Sequence, residues 1–155
     1  MTEKGDFTAQ TRLLWISALA VGVGAACAGV AFVLLWLIAC FTNLFWFGQF
    51  SGVMRPPAES TLGWIGIFVP VVGGLIIGLM ARFGSDRIRG HGIPEAIEAI
   101  LIGRSRMSPK VAVLKPLSSA ISIGSGGPFG AEGPIIMTGG AFGSLIAQLF
   151  HLTAA

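Results

Sequence analysis

The sequence predicts an all-α, multi-pass membrane protein with tilted, re-entrant and discontinuous helices. Three observations predict it. Of 155 residues, 54% are hydrophobic and only 11% charged, against roughly 25% charged in soluble domains. Two apolar stretches are long enough to cross a bilayer. After them come short apolar segments separated by Gly and Pro, and broken backbone at membrane depth is tolerated only where protein buries it or where it lines a polar cavity.

The first twelve residues form a polar tail, and no formal charge occurs from Leu13 to Met54. The first span is placed at 13–47. As one helix it would be about 50 Å long, more than the roughly 30 Å hydrocarbon core, so it must tilt strongly, run past the interface, or break near Thr42 and Asn43. Trp15, Trp36 and Trp46 can anchor at interfaces. Gly22, Ala25, Ala26 and Gly29 form a small-residue face that favours close packing by another helix. Cys27 and Cys40, about 20 Å apart along that helix, cannot bond to each other within it and read as small apolar residues. The apolar run after Arg12 is far longer than a signal-peptide core, so the N-terminus is expected to stay in the mature chain.

Residues 48–60, with Arg55, Pro56, Pro57 and Glu59, read as a short polar connection. The second span follows at 61–81, with Pro70 inside it and a GxxxG pair at Gly74 and Gly78. Lys4 and Arg12 precede the first span and Arg82, Arg87 and Arg89 close the second, while the intervening loop carries only Arg55. The positive-inside rule therefore puts the N-terminus and the segment after Arg82 on the cytoplasmic side.

Residues 90–150 have a different pattern. "GHGIPE" (90–95) leads into about ten helical residues, Val111 to Ile123 is a second short segment, and a third begins at Pro134 with a GxxxG pair at Gly139 and Gly143. "GSGGPFGAEGP" (124–134) wraps five glycines and two prolines around Glu132, the only formal charge from Pro116 to the last residue. In both "GHGIPE" and "GAEGP" a glycine-rich turn delivers the chain into a proline suited to the first helical position, and glycine lets backbone approach a ligand. A helix start leaves N–H groups unpaired and carries about half a positive charge, so two starts aimed at one point would bind an anion without a basic side chain. Weak, sequential binding of that kind is what conduction requires.

Other function classes fit less well. The basic residues form no stripe interleaved with aromatics, so nucleic acid is not an expected partner. No enzyme is expected: "GSGGPFG" lacks the preceding strand, the lysine and the downstream acid of a nucleotide-binding loop. No metal or other cofactor is expected. A structural membrane subunit would explain the glycine pairs, but not Glu132 or the two proline-led helix starts.

"GHGIPE" resembles the GSGIP motif, and "GAEGP" the GREGP or GKEGP motif, of the CLC chloride channels and chloride/proton antiporters. Order, spacing and membrane context agree from about Gly90 to Phe150, and the two preceding spans are consistent. The resemblance implies that residues 1–155 are a partial CLC-type voltage-gated chloride channel domain, similar to the first part of an inverted-repeat fold. It implies an anion-binding selectivity filter at Gly90, His91, Gly92, Ile93 and Pro94 and at Gly130, Ala131, Glu132, Gly133 and Pro134. Glu132 would be the gate: its carboxylate occupies an anion site, leaves when protonated or displaced by chloride, and carries the proton in antiporters. The implied partners are chloride or similar small anions, protons in an antiporter, the lipid bilayer, and a second copy in a homodimer. The implied location is a bacterial inner membrane.

Two departures qualify the resemblance. His91 stands where the family has a serine that touches chloride, and a neutral or protonated imidazole can still donate to an anion. Ala131 stands where the family commonly has Arg or Lys, which should weaken anion attraction and favour protonation of Glu132. Glu95, Glu98 and Lys115 are rare charges that read as structural, an acid–lysine pair joining two short helices. Family members are several times longer, so the chain is expected to be incomplete and inactive alone. Fluoride is the alternative to chloride, since a subgroup of the family uses variant motifs.

Overall fold

A computed structural model of the chain describes residues 11–85, 88, 93, 94, 97, 98 and 109–149. These residues form α1 (Thr11–Phe47), α2 (Phe68–Phe83), α3 (Pro109–Gly124) and α4 (Glu132–Leu149), and the described residues contain no strand. Residues 93–94 and 97–98 are also helical. The all-helical fold class expected from composition and periodicity is the one observed.

α1 is 37 residues long and continuous, about 55 Å at 1.5 Å per residue. It does not break at Thr42 and Asn43. The Thr42 hydroxyl donates to the Ile38 carbonyl (2.8 Å), a bond that leaves the helix intact. Asn43 is fully buried, and its Nδ2 lies 2.9 Å from the Ala39 carbonyl, 2.8 Å from that of Ser51 and 2.6 Å from that of Val53. Two N–H donors shared among three acceptors thus fold the following loop back over the last turn of α1. The helix ends at Gly48, whose φ of +64° is left-handed, a conformation that glycine adopts without a Cβ clash.

Two short 3₁₀ turns, Pro57–Glu59 and Gly63–Ile67, connect α1 to α2. Pro70 falls in the first turn of α2, where its missing N–H has no intrahelical partner to lose. Both Leu14–Phe47 and Gly63–Phe83 are long and apolar enough to cross a membrane. α3 and α4 have 16 and 18 residues, about 24 and 27 Å, and are separated by an irregular stretch, as the expected discontinuous architecture requires.

α1 packs against α3 and α4, which also pack on each other, and α2 packs against α3. One core joins Leu34 and Ile38 of α1 to Ala120 of α3, with Ile135 of α4 against them. A second joins Val111 and Ala112 to Met137 and Ala141. Burial on α1 is concentrated in its C-terminal half, while Leu14, Trp15 and Val21 are exposed.

The small-residue faces are used differently from the sequence expectation. Gly22 and Gly29 on α1, and Gly74 and Gly78 on α2, face open space. The contact instead uses the glycine pair of α4: a Cβ on Gly139 would sit 3.8 Å from Cys27 Sγ, and one on Gly143 would sit 3.7 Å from Val23. One helix with a smooth surface is enough, because the other then contributes its larger side chains. Cys27 and Cys40 are both free thiols, and Cys27 donates weakly to the Gly139 carbonyl (3.5 Å).

The tightest approach is between α1 and the end of α3. A Cβ on Gly124 would lie 2.7 Å from the Phe41 Cβ and 2.9 Å from the Thr42 nitrogen. Beside it, the Trp46 indole N–H donates to the Gly124 carbonyl (3.1 Å). The same ring covers Gly66 ahead of α2 and Gly126 after α3, where added Cβ atoms would come within 3.0 and 2.9 Å. Ser60 Oγ donates to the Trp46 carbonyl (3.1 Å). Trp46, expected as an interface anchor, is therefore also the contact that joins α1, the start of α2 and the end of α3.

Gly124→Ala should force α1 and α3 apart and cost about 1–3 kcal/mol, read as a lower Tm in detergent. Gly22→Ala, facing open space, should leave Tm unchanged or slightly raised, so equal melting of the two variants would overturn the close α1–α3 contact. Trp46→Phe keeps most of the ring but removes the donor, and should cost about 1–3 kcal/mol for the unpaired Gly124 carbonyl. Trp46→Ala should cost more, since a cavity is added; a Trp46→Phe variant as stable as the original chain would show that the indole N–H contributes nothing.

Candidate functional site

The break between α3 and α4 begins with a complete helix terminus. The Gly127 N–H returns to the Ser122 carbonyl (2.9 Å) and the Gly126 N–H to that of Ile123 (2.9 Å), the paired bonds that close a helix through one left-handed residue. That residue is Gly126, at φ +91°. Ser125 Oγ also donates to the Ser122 carbonyl (3.0 Å), and the Trp46 indole takes the Gly124 carbonyl. A Cβ on Gly127 would lie 2.6 Å from the Ser122 oxygen. The glycines at 124, 126 and 127 are thus required by packing and turn geometry, not by the approach of a ligand. Gly130 alone among those four has open space where a Cβ would be.

α4 begins at Glu132, two residues earlier than a proline at its first position would imply. The Ile135 N–H already reaches the Ala131 carbonyl (3.0 Å), so the first turn closes from Ala131 and Pro134 sits within it. This remains compatible with proline, because the first N–H groups of a helix have no intrahelical acceptor. The amides of Glu132 and Gly133 precede that first closure and lie at the positive end of the helix. Glu132 is exposed, Gly133 and Pro134 are buried, and Ala131 is half-buried against the cluster of Leu34, Ile38 and Ala120.

A cavity of about 320 Å³ adjoins this helix start. α2 supplies Gly74 and Ile77, α3 supplies Ser119 and Ser122, and the break and α4 supply Gly130 and Pro134. Ile88, two residues ahead of the first glycine motif, lines it as well. Its position is set by Lys115 of α3, which is 1% exposed and whose Nζ donates to the Ile88 carbonyl (3.0 Å). A buried ammonium requires such acceptors, so Lys115 joins α3 to the segment before the first motif.

Of the site residues expected from sequence, Gly130 and Pro134 meet at this cavity, with Ala131, Glu132 and Gly133 between them. Ile93 and Pro94 are helical and exposed, while Gly90, His91 and Gly92 lie outside the described residues, as does Glu95. Glu98 is exposed. Two features were missed. The role of Trp46 had no local signal, because it depends on glycines twenty and eighty positions away. The serine wall did have one: Ser118, Ser119 and Ser122 share one side of a helix by their spacing.

Comparison with known proteins identifies the chain further. A family model described as voltage gated chloride channel matches residues 72–155. A putative chloride channel protein ClcB-like from Ralstonia nicotianae is 30% identical over 133 residues, 84% of this chain and 30% of that protein. A voltage-gated ClC-type chloride channel ClcB from Yersinia pseudotuberculosis is 30% identical over 128 residues, 78% of this chain and 30% of that protein. The chloride channel protein clh-3 of Caenorhabditis elegans is 30% identical over 93 residues, 58% of this chain and 9% of that protein. The chain spans about 30% of the length of the bacterial relatives. No solved structure matches it. The family match covers more than half of the chain and includes both α3 and α4 with the break between them, and the protein belongs to the voltage gated chloride channel family.

Proposed function

We propose that the complete protein carries chloride across a membrane, as a channel or as a chloride/proton antiporter, with Glu132 as its gate. The observation that carries this reading is the position of Glu132. It is the only formal charge from Pro116 to the last residue and the first residue of α4, beside a cavity lined by Gly130 and Pro134.

A carboxylate is itself an anion, so at a helix start it competes with chloride for the same N–H donors. Protonation removes that competition and opens the donors. The second group of filter residues would be Gly90, His91, Gly92, Ile93 and Pro94. The N-terminus and Arg82 would face the cytoplasm of a bacterial inner membrane, and two copies would assemble as a homodimer, each with its own pathway.

The packing roles of Gly124, Gly126, Gly139 and Gly143 also fit a subunit without transport activity, so the decisive test is functional. In liposomes carrying the complete protein, Glu132→Gln should change chloride flux at least tenfold and abolish its dependence on pH, if one titrating group is the gate. Unchanged flux in Glu132→Gln would remove the gate assignment. Flux driven by a proton gradient alone identifies an antiporter, and a preference for fluoride over chloride and nitrate identifies the alternative substrate.

Ala131→Arg places a cation next to the gate and favours the charged carboxylate. The pH profile of flux should therefore change, because the added charge acts directly on the gate. A profile that stays in place would show that residue 131 does not act on the gate.

A further inference from the structure

Pro128 stands four residues after Gly124, at the position whose N–H would bond the Gly124 carbonyl if α3 continued, and proline has no N–H to give. Gly124 is buried, so its carbonyl needs another donor. Among the described residues that donor is the Trp46 indole N–H (3.1 Å). The other end of the same peptide group is also held, because the Ser125 N–H bonds the Ile121 carbonyl (2.9 Å). A peptide group is planar and rigid, so the two bonds together fix the direction in which the chain leaves α3.

Both ends of the break rest on α1. At the α3 end, Gly124 lies against Phe41 and Thr42, and the Trp46 ring also covers Gly126, where a Cβ would come within 2.9 Å. At the α4 end, Ala131 and Ile135 pack on the cluster that contains Leu34 and Ile38. Ile38 and Trp46 are eight positions apart on one continuous helix, about 12 Å along its axis. α1 is thus the template on which the break is stretched, and Glu132 directly follows the second anchor. Loss of the indole N–H leaves a buried carbonyl unpaired, which is unfavourable. The 124–125 peptide then gains by rotating toward another donor, and that rotation redirects residues 126–131.

We infer, resting on the reading of Glu132 as the gate, that Trp46 is a positioning residue for it: the indole N–H fixes the backbone from which Glu132 projects. The indole acts on the peptide group at Gly124, and the exposed carboxylate at the far end of the break is left free to move. What the bond sets is the point from which that carboxylate swings. A ring that only filled space would serve as well without its N–H. A ring that positions the gate would not.

A decisive experiment changes the N–H and little else. Benzothienylalanine, a tryptophan analogue with sulfur in place of the ring N–H, is placed at position 46 of the complete protein by nonsense suppression, and chloride flux is measured in liposomes at equal amounts of folded protein. The analogue should change flux at least about threefold in the original background and less than about 1.5-fold when Glu132→Gln is also present, since a residue acting through the gate then has nothing left to act on. Unchanged flux in the original background, or the same fold-change in both backgrounds, would overturn the inference. If the analogue-bearing protein fails to fold, Gly66→Ala decides by the same cycle: its Cβ would lie 3.0 Å from the Trp46 ring and displaces the indole without altering a residue of the break. Glu132→Gln alone separates the two readings. Altered flux there with equal fold-changes across the cycle removes only the positioning role, whereas unaltered flux there removes the gate and the positioning role with it.

Discussion

Every peptide group in an interrupted helix must find a partner when the interruption lies among apolar side chains. The rest of this structure follows from how the break at 124–131 meets that requirement. The carbonyl of Gly124 cannot bond forward, because the helix stops there, and the indole N–H of Trp46 supplies the missing donor at 3.1 Å. For the indole to reach it, α1 must approach α3 to within backbone contact, which Gly124 permits, and the ring must pass over Gly126 and Gly66. A single hydrogen bond thereby sets the separation of three elements.

The two ends of the break are settled in opposite ways. At the α3 end, N–H groups from Gly126 and Gly127 return to the carbonyls of Ile123 and Ser122, and Trp46 takes that of Gly124. At the α4 end, the first closure is made by Ile135, which leaves the amides ahead of it available. The negative end of one helix is therefore screened by its own turn and by an indole, while the positive end of the next is bare. That asymmetry gives the break a net electrostatic preference for negative charge, with no basic side chain at it among the described residues. It also explains why an acid is stable at position 132, since the same preference acts on a carboxylate.

Much of this was legible in the sequence, because its signals are local. The uncharged stretch from Leu13, the glycines and prolines after Gly90 and the lone charge at Glu132 fix the class of fold and the location of the break. The purpose of individual glycines was not legible. Gly124 and Gly126 resemble ligand-approach glycines in a one-dimensional reading, but their close neighbours are Phe41 and Trp46, some eighty residues away. The small faces show the same limit: Gly22 and Gly29 have the same spacing logic as Gly139 and Gly143, and only the second pair is packed. Which side of a helix meets a neighbour depends on the neighbour, and neither periodicity nor composition contains it.

That the described residues place no cation beside Glu132 has a quantitative consequence for the field at the helix start. Half a charge at about 5 Å contributes about 1.7 kcal/mol at an effective dielectric of 20, half of what a lysine at the same distance would give. Such a site attracts an anion about twentyfold over its surroundings, whereas a full charge would do so several hundredfold. The weaker value is in the range that conduction pathways in general require, where an ion must leave as readily as it enters. Lys115, the one buried lysine described, is held away from this role by its bond to the Ile88 carbonyl. Among the described residues, what remains around the helix start is a set of neutral groups and one acid, Glu132. The break itself is fixed by Trp46, whose indole holds the Gly124 carbonyl, while the exposed carboxylate at its far end is free of that constraint.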